Sequence, residues 1–167
     1  MGTAENLIRG GGDPVRPVEP PEYWRYTLHL ASLAAAPDEA DEAERVAAVL
    51  RDPDWVMAES AVVTHLDRRA ARLLADERFQ DWARAVGAAL EGRAFPVARL
   101  REWSLLQSVN QGGPWLPAEL AGASDWCQRT AVALLTSYEA LRLLADAGRT
   151  RRVRHAAAQR LVRRPSL

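Results

Sequence analysis

From Pro21 to Arg163 the apolar residues recur at spacings of three and four, and no segment shows a convincing alternation by two. That period belongs to helices that each bury one side. The sequence therefore predicts an all-α domain over residues 21–164. Residues 1–20 read as a flexible lead-in, because RGGGDP and VRPVEPP carry Gly and Pro too densely for a helix and offer little to bury.

The stretch Asp125–Ala147 is the most apolar of these segments. As one helix it places Trp126, Ala133, Leu134, Tyr138, Leu141, Leu144 and Ala145 on a broad face. Val132, Leu135 and Leu143 fall on other sides. A helix apolar on several sides is packed on several sides, so this one is expected at the centre of the fold.

Local signals mark the other elements. Pro21 suits an early helical position, and Pro37 ends the first helix. Its apolar positions form two adjacent rows, Tyr23, Tyr26, Leu30, Leu33 and Trp24, Leu28, Ala31, Ala35. Asp38 is placed to cap the second helix, with Glu39, Asp41 and Glu42 in the first turn, where the helix dipole favours negative charge. Asp54 is placed to cap a long third helix packed through Trp55, Val56, Val62, Val63, Leu66, Ala70, Leu73 and Leu74. Arg78–Leu90 follows, then a helix opening at Pro96 with Val97, Leu100, Trp103, Leu106 and Val109 in register. Asn110–Pro114 is a loop, and Pro117–Ala121 suits a single turn. Ser124 or Asp125 caps the central helix and Gly148 ends it. Thr150–Arg163 is the last helix, through Val153, Ala157 and Leu161.

These helices group as antiparallel hairpins: Asp38–Ala75, Arg78–Val109 and Ser124–Arg163. Their starts lie about 40 and 46 residues apart, a period of helical repeats. The sequence from Arg149 to Leu161, with Val153, Arg154, Ala157 and Leu161, resembles the second helix of a HEAT repeat. Asp52-Pro53-Asp54 leading into Trp55–Leu66 resembles the turn of the same HEAT/armadillo family, with Met57 where that pattern has arginine. The middle hairpin matches in spacing alone. The resemblance covers about a third of the chain by motif. It implies a short solenoid of stacked helix pairs with a concave face for a macromolecular partner. An irregular helical bundle is the alternative.

Composition removes several function classes. The 22 basic residues are all arginine, which excludes a Schiff-base lysine, a lysine general base and a lysine-dependent phosphate loop. With abundant alanine, that bias points to a GC-rich bacterial coding sequence. Acids lead in residues 1–60, 12 against 5 arginines, and arginines lead in residues 61–167, 17 against 10 acids. No apolar run approaches the roughly 20 residues that span a bilayer, and the N-terminus has no apolar signal core. The lone cysteine, Cys127, permits no intrachain disulfide and reads as a small buried side chain. A cytoplasmic setting without membrane attachment is expected.

No catalytic constellation emerges. His29, His65 and His155 sit on different helices without acids at metal-ligand spacing, and each reads as a surface or boundary residue. No cofactor or metal site is expected. Glu59 lies in the middle of the apolar stripe between Trp55, Val62 and Leu66, so it needs an arginine partner or a raised pKa. Five of the six tryptophans occupy periodic positions and read as core or edge packing. Trp115, between Pro114 and Pro117, either folds onto the core or stays exposed as a binding anchor. Arg152, Arg154, Arg160 and Arg163 make the C-terminal helix basic.

The leading reading is a non-enzymatic interaction or adaptor protein that binds another macromolecule, chiefly protein. A small nucleic-acid-binding protein using the C-terminal arginines is the second. A ligand-binding protein or enzyme with a Trp-lined pocket around Glu59 is the third.

Overall fold

Asp38, Asp54, Ser124, Ser137 and Thr150 each begin a helix by accepting a backbone N–H with the side-chain oxygen, at 2.9–3.2 Å. Each such cap stabilises by about 1 kcal/mol. The computed structural model describes residues 22–163. The expected lead-in at residues 1–20, the start at Pro21 and the last residues from 164 onward lie outside that range.

Within it the chain is all-helical: α1 Glu22–Ala34, α2 Glu39–Val49, α3 Trp55–Leu73, α4 Phe79–Ala89, α5 Ala94–Asn110, α6 Pro117–Gly122, α7 Asp125–Leu134, α8 Tyr138–Ala147 and α9 Arg151–Val162. The turn before α5 and the loop after it use Gly92 and Gly112 at φ 80° and 69°, a left-handed conformation that glycine adopts without steric cost.

The expected central helix is two helices. Leu135 is extended, at φ −76° and ψ 147°, and Ser137 caps α8. The buried residues explain the break. Along one unbroken helix, Cys127, Ala131 and Leu135 would lie on a different side from Ala140 and Leu144, with Leu141 between the two sets. The break lets both sets face the core, where all six are buried. In consequence Leu134 and Tyr138 are exposed, at 40 % and 58 %, and Ala133 is exposed too.

The most extensive helix contacts join α8 to α9, α1 to α3 and α2 to α4. α3 packs on α5, α5 on α7 and α7 on α9. The segment Asp38–Ala75 is helix, turn, helix as expected, yet α2 and α3 touch each other less than each touches the helix two along. The reason lies in α2, whose Glu42 and Val46 point into the core. There Glu42 meets Trp82 of α4.

Three polar links hold the layers. Glu42 is buried and receives Trp82 Nε1–H at 2.8 Å, His65 Nε2 at 2.7 Å and Arg69 Nε at 3.2 Å. Asp67 of α3 accepts from Arg99 and Trp103 of α5 at 2.6 and 2.8 Å. Gln128 of α7, fully buried, donates to the carbonyls of Leu120 and Ala121 at the end of α6 and accepts Arg149 N–H at 2.7 Å. Among the described residues no buried side-chain nitrogen or oxygen lacks a partner, as a stable core requires.

Several expectations about faces need correction. His65 is a buried hydrogen-bonding residue rather than a boundary one, and Glu42, in the first turn of α2 as expected, is a core residue as well. Trp24 and Trp55 are 62 % and 60 % exposed, so neither belongs to the core that their periodicity suggested. Val56 is exposed as well. α1 keeps Leu33 buried and Tyr26 and Leu30 half-buried, while its second apolar row points outward.

A candidate basic groove between α7 and α9

α9 is placed by its apolar stripe and by the turn before it. Val153 and Ala157 are buried. Gly148 allows α8 and α9 to meet closely: a Cβ there would lie 2.4 Å from Leu144 O and 2.8 Å from Val153 Cγ1. Arg154 donates to Gly148 O at 2.6 Å and reinforces the same turn.

The break after Leu134 leaves the last carbonyls of α7 without helical donors, as at any helix C-terminus. Arg160 supplies them. Its Nη1 donates to Val132 O and, at 3.0 Å, to Ala133 O. A cation at this end also complements the helix dipole.

Around that contact lies an open groove of about 330 Å³, rimmed by Arg129, Arg152, Arg160 and Arg163 over a floor that includes Val132, Val153 and Ala156. No acid is among its described lining residues. Arg129 is paired with Asp125 at 3.0 Å, and Arg160 is committed to α7. Arg152 and Arg163 are exposed, and neither has an ion-pair partner among the described residues. Among the described residues the groove thus offers two guanidinium groups without an acidic partner, beside apolar surface.

The other sequence candidates lie elsewhere. Arg154 belongs to the α8–α9 turn. Glu59 is largely buried and sits 3.6 Å from Arg93, which also donates to Leu50 O at 2.6 Å. That is the arginine-paired arrangement its position required. Trp115 is half-buried and packs against the core. Arg129 was missed, since it stands on another helix and nothing in its local sequence ties it to α9.

No family model matches the chain, and neither the curated proteins nor the solved structures contain a match to it.

Two further features bear on chemistry. Burial pushes the Cys127 thiol up to about 12, with the nearby Glu102 acting in the same direction, so the nucleophilic thiolate is suppressed. Among the described residues no group of three or more His, Cys, Asp or Glu is arranged to hold a metal ion. No helix among them is long and apolar enough to cross a membrane.

Proposed function

We propose that the protein is a non-enzymatic helical interaction module, and that the groove between α7 and α9 holds an acidic segment of another protein. The observation that carries this reading is the groove's composition: an arginine rim, an apolar floor and no acid among its described residues. Guanidinium forks pair with carboxylates through two parallel hydrogen bonds. A floor of Val132, Val153 and Ala156 suits an aliphatic or aromatic side chain flanked by those carboxylates. A nucleic acid asks instead for a basic track along successive phosphates, and the described part of this groove is short.

A HEAT-like stack of helix pairs belongs to the same reading. Its support is the packing of α1 on α3, α3 on α5 and α2 on α4, the neighbour relationships that stacked pairs make. A cytoplasmic setting is also part of it, supported by the lone cysteine, which has no disulfide partner in the chain.

The test is fluorescence anisotropy with a labelled peptide of alternating Glu and Leu, beside single-stranded and duplex DNA of equal charge. Wild type is expected to bind the peptide. The double variant Arg152→Gln/Arg163→Gln is expected to bind it about ten-fold more weakly at low salt, a difference that shrinks as exposed charges are screened over roughly 8–10 Å. Arg160 is left intact because it caps α7. Preference for either DNA, lost in the same variant, would move the assignment to nucleic acid.

A further inference from the structure

α1 has its polarity reversed for a surface helix. Its basic side chains, Arg25 and His29, turn inward to Asp52; His29 Nε2 lies 2.9 Å from Asp52 Oδ2, and Arg25 pairs with the other oxygen. Tyr26 also turns in, its hydroxyl 2.9 Å from Thr64 Oγ1. The exposed side of Tyr23–Ala35 is Tyr23, Trp24, Thr27, Leu28, Ala31, Ser32, Ala34 and Ala35. None of these side chains is charged. Tyr23, Trp24 and Leu28 are 75 %, 62 % and 61 % exposed, and with Thr27 they form an apolar cleft of about 250 Å³.

We propose that this face is a homodimer interface, in which α1 of one copy packs antiparallel on α1 of a second copy about a two-fold axis. The order of residues along the seam selects that partner. Trp24, Leu28, Ala31 and Ala35 are spaced by four, three and four, so they form one line along the helix. Read from the N-terminal end the line runs large, large, small, small. Antiparallel pairing sets Trp24 over the other copy's Ala35 and Leu28 over its Ala31, so each bulky side chain meets a small one. Parallel pairing would set Trp24 against Trp24 and leave a gap between the alanines. A surface that complements itself under two-fold rotation is what a closed dimer requires.

The available area agrees with a weak, reversible dimer. Aromatic side chains present about 150–250 Å² each, so Tyr23, Trp24 and Leu28 leave on the order of 400 Å² per copy at their observed exposure. That is the size of the largest apolar patch on an ordinary monomer, which is often functional. With the alanine half of the seam, both copies together bury roughly 1,000–1,200 Å², the lower end of specific interfaces.

Sedimentation equilibrium of the full chain, from about 1 μM to about 1 mM, brackets a dimer of this strength. Wild type is expected to pass from monomer to dimer within that range. Leu28→Arg sets like charges near the two-fold axis and should weaken association by about 100-fold or more. At about 1 μM, where wild type is monomeric, its melting temperature should match wild type, because Leu28 lies outside the core. Ala31→Leu alone should weaken the dimer by crowding Leu28, whereas Leu28→Ala/Ala31→Leu restores one large and one small residue per contact and should recover it. A wild-type chain that stays monomeric overturns the proposal. So does a dimer indifferent to Leu28→Arg, or a double variant no better than Ala31→Leu.

Discussion

The guanidinium carbon of Arg99 lies 3.6 Å from the ring centroid of Trp126. The same guanidinium donates to Asp67 at 2.6 Å, and Trp126 meets Trp103 edge-on with centroids 5.4 Å apart. Arg99 therefore joins α3, α5 and α7 at one point. The cation rests on an aromatic face, an attraction that strengthens as water is excluded.

Arg99→Ala is expected to destabilise the protein by about 2–4 kcal/mol, because it leaves the Asp67 carboxylate with Trp103 alone and uncovers Trp126. Arg99→Lys should recover part of this. It keeps the charge but loses the flat surface that stacks on the ring. Urea unfolding of the three proteins checks both values. Equal midpoints for wild type and Arg99→Ala would show that this junction is not part of the stabilising core.

The Glu42 cluster makes stability depend on acid. Burial pushes the Glu42 carboxyl up, but hydrogen bonds from His65 and Trp82, with the pull of His65 and Arg69, outweigh it and hold the group below its usual 4.5. A carboxyl whose pKa is lower folded than unfolded binds fewer protons in the native state. Its stabilisation is complete above the unfolded value and is lost as pH falls through the folded one. Asp52 acts in the same sense: burial raises it, and His29, the Asp54 N–H and Arg25 together bring it below 3.8. Stability should therefore fall as pH drops below about 4.5, and Glu42→Gln should flatten that fall. At pH 7 the variant should cost about 1–3 kcal/mol, since it weakens the hydrogen bonds that the buried Glu42 receives from Trp82, His65 and Arg69. Thermal melts of both proteins from pH 7 to pH 3 provide the comparison.

Leu141 and Leu134 separate the two halves of the expected central helix. Leu141 is 1 % exposed and Leu134 is 40 % exposed. Leu141→Ala should cost about 2–5 kcal/mol, the range for buried leucines, and Leu134→Ala less than about 1 kcal/mol. An unbroken helix would carry both leucines on one buried face, and denaturant melts would then give the two variants similar costs.

Cys127 should be inert toward thiol reagents in the native protein. It is fully buried, and burial raises its thiol to about 12, leaving almost no thiolate near neutral pH. Ellman's reagent is expected to react with it only as fast as the protein unfolds, and promptly in urea. Rapid labelling of the folded chain would place the thiol at the surface.

What could be read from the sequence was what depends on neighbours three or four residues apart. Helical period is such a relation, and so are the caps at Asp38, Asp54 and Ser124 and the stop at Gly148. The all-α fold followed from these, and so did the basic character of α9. Tertiary structure decided which side of each helix faces inward. α1 has apolar residues on nearly every side, and its period alone cannot say that Trp24 stays outside while Arg25 turns in; that depends on Asp52, 27 residues away. The sequence placed Glu42 in the first turn of α2 but did not show its burial, because its partner Trp82 stands 40 residues along the chain. The break between α7 and α8 required two apolar sets on different sides to reach one core. The groove likewise needed Arg129 of α7 brought beside Arg152 and Arg163 of α9, while Arg154, on the same helix, was drawn into the turn at Gly148. Burial, charge pairing and groove formation are relations between distant segments, and only packing brings those segments together.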